Sequence, residues 1–169
     1  MSLGNKIVQA VQLQTAKNSP LPLHASVHEA NGGSRVEATV GIADHDRLSL
    51  MADEVRVQVF RPAGNKAKEG GAAKLAQARA EKLASRATYL TETLQFVECE
   101  VDGAAIVRST PKTMRGPRSP YFEAKIGEDA ISLRRYQANS DRPGRHRVNF
   151  YLNEDVLARL VDDAYAILT

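Results

Sequence analysis

Over residues 119–169 the apolar and polar positions alternate through three segments and then change period. Tyr121–Ile126 sets Phe122, Ala124 and Ile126 on one side and Tyr121, Glu123 and Lys125 on the other, the period-two pattern of a half-buried strand. Gly127, Glu128 and Asp129 turn the chain. A second strand over 130–137 then points Ile131 and Leu133 inward and Ser132, Arg134 and Tyr136 outward. A polar loop with Asn139, Asp141, Pro143 and Gly144 precedes a third strand over 145–152. Its Val148, Phe150 and Leu152 face inward, and its Arg145, Arg147, Asn149 and Tyr151 face outward. Beyond it Leu157, Leu160, Val161, Ala164 and Leu168 recur at helical spacing, which predicts a closing helix with one stripe on the sheet. Asn153 is a good N-cap for it, and Glu154 and Asp155 place negative charge where the helix dipole favours it.

The first half follows the same logic. Residues 4–18 fit neither period fully, but their length and their Gln and Ala content favour a helix with Ile7 and Val11 inward, ended by Ser19-Pro20-Leu21-Pro22. Residues 23–30 alternate Leu23, Ala25 and Val27 against His24, Ser26 and His28, and Asn31-Gly32-Gly33 is a strong hairpin signal. The returning strand, 35–42, turns Val36, Ala38, Val40 and Ile42 one way. A turn through Asp44, His45 and Asp46 then predicts a short strand over 48–51 and a separate one over 54–60, marked by Val55, Val57 and Val59. Pro62, Gly64, Gly70 and Gly71 break the pattern before an Ala-rich helix over 72–87. So much alanine fits either a close approach to a neighbour or an exposed connector. A strand over 93–101, a turn at Asp102-Gly103 and a partner strand over 104–108 follow, and residues 109–119 read as an irregular, exposed, basic loop.

These elements predict an α+β fold, an antiparallel β meander sheet with three helices: N-terminal, middle Ala-rich and C-terminal. One domain over 1–169 is favoured over two lobes, 1–62 and 90–169, joined by helix 72–87, because each half alone buries few large side chains. The order helix, meander, helix, meander, helix is similar to secretion-chaperone folds. No motif accompanies that similarity, and likeness at the level of fold carries no function.

Cys99 is the single cysteine, so no intramolecular disulfide forms, which fits a reducing compartment. The N-terminus lacks the basic start and apolar core of a signal peptide, and no apolar run approaches the roughly 20 residues of a membrane helix. The expectation is a soluble, cytoplasmic protein with no membrane partner. Net charge is +3, unevenly spread: residues 1–107 are balanced, 108–147 carry ten Lys or Arg against four acids, and 148–169 carry one against four.

Candidate chemistry is sparse. His24 and His28 with Asp44 or Asp46 lack an evident fourth metal ligand, so they read as solvated histidines beside a polar turn, and no metal site is assigned. His45 is weak as a general base. Cys99 aligns with Val97 and Val101 between Glu98 and Glu100, which predicts a buried, inert thiol. Gly70-Gly71 before a helix matches neither a P-loop nor a dinucleotide fingerprint. No catalytic residue and no cofactor is assigned.

One constellation stands out. The outward face of the closing strands holds Tyr121, Lys125, Arg134, Tyr136, Arg145, Arg147 and Tyr151, with the loop cations Arg115 and Arg118 close in sequence. Rings beside guanidinium groups on a sheet suit single-stranded nucleic acid, yet Arg and Tyr are also ordinary cross-strand neighbours and subunit contacts. The leading expectation is a non-catalytic interaction module with a protein partner or self-association. Nucleic-acid binding through the basic, tyrosine-bearing face is the alternative, and an uncharacterised enzyme is third.

Overall fold

Alternating apolar and polar residues build nine antiparallel strands among the residues that the computed structural model describes, 1–62, 71–110 and 119–169. The strands are β1 (Leu23–Asn31), β2 (Ser34–His45), β3 (Leu50–Phe60), β4 (Thr93–Cys99), β5 (Ala105–Thr110), β6 (Tyr121–Ile126), β7 (Ala130–Ala138), β8 (Arg145–Val148) and β9 (Phe150–Leu152). Their order is β1-β2-β3-β7-β6-β5-β4, so the β3–β7 pairing joins the two halves of the chain in one sheet. The helices are α1 (Leu3–Ala16), α2 (Ala72–Arg86) and α3 (Glu154–Leu168). The arrangement is α+β, as the periodicities predict.

The strand predicted over 145–152 is divided. Its first part, β8, pairs with the end of β7, and its second, β9, pairs with the start of β3. Away from those pairings, where the later part of β3 runs beside the start of β7, the two strands hydrogen-bond directly, Val55 opposite Leu133 and Gln58 opposite Ala130. The two central strands therefore diverge at one end, and β8 and β9 fill the fork. Asn149, in no strand, is the crossing point.

The separate strands expected over 48–51 and 54–60 are one strand, β3. An extra residue, Asp53, is absorbed as a bulge, since Gly41 pairs with Glu54 and Ile42 with Ala52. The turn comes later than expected, at Asp46, whose carboxylate accepts the N–H groups of Leu48 at 2.7 Å and Ser49 at 2.8 Å. The β1–β2 hairpin turns at Gly32 and Gly33 with φ of 56° and 85°, a backbone that a side chain rarely adopts.

Inward side chains of the strands and the buried faces of all three helices form one core cluster. Ser2 caps α1 by accepting from Asn5 N, and Asn153 caps α3 by accepting from Val156 N at 2.8 Å. On α2, Ala76 and Ala80 are buried with Leu83, so the alanines serve close approach, while Leu75 is partly exposed. Arg61 and Arg79 both donate to the Leu168 carbonyl and to that of Glu128, tying the end of α3 to the β6–β7 turn.

The buried thiol expected at Cys99 is a correction: Cys99 is exposed. β4 is an edge strand, and its register shifts between Phe96 and Glu98, so the run Val97, Cys99, Val101 does not continue one buried face.

Candidate functional site

The sheet face opposite the helices carries the predicted constellation. Cross-strand register sets Tyr121, Tyr136 and Arg147 side by side on β6, β7 and β8, and Arg108, Glu123 and Arg134 side by side on β5, β6 and β7. The Tyr121 and Tyr136 rings lie 6.3 Å apart and tilted, and the Arg145 guanidinium sits 3.9 Å over Tyr136. Tyr151, on β9, is 68% exposed and stands apart from this pair, beside Asp44, His45, Asp46 and Met51. Arg115 and Arg118 lie outside the described residues.

Glu123 organises the group, although the sequence marks it only as outward-facing. Its carboxylate is largely buried and accepts from Arg108 Nε at 2.8 Å and from both Arg145 nitrogens at 2.5 and 3.0 Å. Arg145 also donates to Tyr121 Oη at 2.9 Å. Burial alone would raise the Glu123 pKa, but the hydrogen bonds from Arg145 and Arg108 outweigh it and hold the carboxyl below its ordinary range. The same bond to Glu123, against the opposing effect of burial, pushes Arg145 upward.

The remaining cations are paired likewise. Glu54 lies 3.0 Å from Arg134 Nη2 and 3.6 Å from Arg147 Nη2, and Arg147 also donates to the Asp53 carbonyl at 3.1 Å. The Arg134 contact is an ion pair out of line for a hydrogen bond, since Glu54 Oε1 is buried without a hydrogen-bond partner. Lys125 reaches Glu100 at 2.5 Å and Asp102 at 3.0 Å, and its hydrogen bond to Glu100, then that to Asp102, raise its pKa. Each sequence-predicted cation among the described residues thus meets a carboxylate, on the sheet for Arg134, Arg145 and Arg147 and in the turn after β4 for Lys125. Glu54, which pairs Arg134 and Arg147, and Arg108, which shares Glu123 with Arg145, join the group only through the register.

His24 and His28 are both exposed, and His28 Nδ1 faces Glu37 at 3.6 Å and Arg35 at 3.3 Å. Gly71 caps α2 with no side-chain bond, and Gly70 lies outside the described residues. Among the described residues no helix is long and apolar enough to cross a membrane. Comparisons with protein-family models, with curated proteins and with solved structures find no match.

Proposed function

We propose that this protein works by binding rather than catalysis, as an interaction module that presents the sheet face opposite its helices to another protein chain. The observation that carries this reading is the pairing of Arg108 and Arg145 with Glu123, and of Arg134 and Arg147 with Glu54. Phosphates would have to displace carboxylates already in place, at the cost of leaving Glu123 buried and unpaired. A protein surface bearing both signs of charge meets this face without breaking it, and half-buried Tyr121 and Tyr136 among arginines have the composition enriched at protein interfaces.

Nucleic acid is the second reading, favoured by the stack of Arg145 on Tyr136 beside Tyr121. A photo-reactive residue in place of Tyr136, in the full chain expressed in cells, separates the two. The expected product is a protease-sensitive adduct with a protein, lost when Arg145 is also changed to Ala, with the same residue at Gln77 of α2 as the negative control. A nuclease-sensitive adduct, or none above the Gln77 control, overturns the proposal.

A further inference from the structure

The bulge in β3 breaks the alternation of sides at one place. Ala52 and Val55 are buried, so the two residues between them, Asp53 and Glu54, both face outward where a regular strand would send one to each side. The Asp53 carboxylate is thereby laid over Gly41 of β2. A Cβ on Gly41 would overlap Asp53 Oδ1, so this position admits glycine alone without displacing the carboxylate.

Across Gly41, β1 contributes His24, and two pairs further along Ser26 lies opposite Thr39. β1 and β3 flank β2, so their side chains are separated by two strand spacings, about 10 Å. Beside the Asp53 carboxylate a groove of about 500 Å³ opens, lined by His24, Ser26, Glu37, Thr39, Asp53, Glu54 and Arg147.

The polar groups around it divide into engaged and free. Glu37 is held near Arg35 at 3.8 Å and His28 at 3.6 Å, Glu54 faces Arg134 and Arg147, and Arg147 is committed to Glu54 and to the Asp53 carbonyl. By contrast the Asp53 carboxylate, the His24 ring and the Ser26 and Thr39 hydroxyls have no hydrogen bond or ion pair among the described residues. The lining holds three carboxylates against the single cation Arg147. Its free groups are an unpaired anion, two hydroxyls that can accept as well as donate, and an imidazole.

We propose that this groove binds a guanidinium group, with Asp53 as its charge partner and Ser26 and Thr39 as further acceptors. A planar cation with several N–H donors can pair side-on with a carboxylate while offering donors to the hydroxyls, which a single ammonium centre matches less well. The groove between His24 and Asp53 is open to such a flat group. The guanidinium comes either from an arginine of a partner chain or from a small free compound. The first source rests on the interaction-module reading, and the site itself does not.

The test is a titration of the ¹⁵N-labelled full chain, following amide shifts, with three probes: agmatine, an Arg-containing tripeptide blocked at both ends, and the same tripeptide with citrulline in place of arginine. Expected are shift changes confined to the region of Gly41, Thr39 and Asp53 with agmatine and the Arg peptide at up to about 10 mM, and none with the neutral citrulline peptide. Asp53→Asn, which keeps the shape, should weaken binding about tenfold or more, and Thr39→Val should weaken it less. An Arg peptide binding about tenfold tighter than agmatine identifies a chain segment as the source, and equal binding identifies a small compound. No localised shifts with either cation, equal shifts with citrulline, or an unchanged Asp53→Asn overturns the site. Failure here leaves the Tyr136 cross-linking result standing, and failure there leaves this titration standing, so the two proposals are separable.

Discussion

Gly4 of α1 lies directly against Ala158 of α3: a Cβ on Gly4 would overlap the Ala158 carbonyl oxygen and come 2.8 Å from its Cα. The Gly4 N–H donates to Asp162 Oδ1 at 2.7 Å across the same contact. In an exposed helix Gly→Ala is worth about 1 kcal/mol in favour of alanine. Here the methyl group meets backbone, which cannot swing aside, so Gly4→Ala should destabilise by about 1–3 kcal/mol in urea unfolding. A gain in stability would mean that the two helices are not in close contact.

The face of α3 on the sheet is the larger contribution. Leu157, Leu160, Val161 and Leu168 are all buried, as the helical spacing predicts. Leu160→Ala should cost about 2–5 kcal/mol, read from the shift in denaturant midpoint at unchanged slope. An unaltered midpoint would remove the stripe from the core.

What the sequence reveals here, and what it hides, divides along physical lines. Strict alternation over Tyr121–Ile126 and the 3.6-residue spacing from Leu157 to Leu168 are local consequences of burial on one side, and both elements form as predicted. Asp53 and Val97 each shift a register by one residue, and no local pattern marks them, because a bulge is decided by the partner strand. Hence β3 is one strand rather than two and Cys99 faces solvent. The cations of the outer face are legible as a block over 108–147, whereas their neutralisation by Glu54 comes from a strand roughly eighty residues away and follows only from the β3–β7–β8 fork. Gly4 looks like any helix-start glycine until α3 is placed against it.

Acid should weaken the Glu123 cluster in a defined direction. Burial opposes ionisation, but Arg145 and Arg108 hold the folded-state pKa below the ordinary value of 4.5. A carboxyl lowered by folding stabilises fully above its unfolded-state value and loses that contribution as pH falls through the folded-state value. Glu123→Gln should therefore lower stability at neutral pH by about 1–3 kcal/mol, and its deficit against the native chain should shrink on acidification below the unfolded-state value. Urea unfolding of both chains across the carboxylate range checks this. A deficit that is constant with pH would assign the loss to packing instead of charge.

The same carboxylates decide how the face responds to polyanions. With Arg108, Arg145, Arg134 and Arg147 held by Glu123 and Glu54, the native chain should bind single-stranded oligonucleotides weakly and with little dependence on salt. Changing both Glu54 and Glu123 to Gln releases four guanidinium groups. If all four then meet phosphates, counterion release gives a slope of about −0.7 for each, and raising salt from about 50 to 200 mM should weaken binding roughly 50-fold. Adding Tyr136→Ala to that variant should cost about 1–3 kcal/mol at every salt concentration without altering the slope, because a stacked ring releases no counterions. Fluorescence anisotropy of a labelled strand reads all three chains. A steep salt dependence already present in the native chain would mean that the cations are available to phosphates despite their carboxylates, and would exchange the protein partner for a nucleic acid.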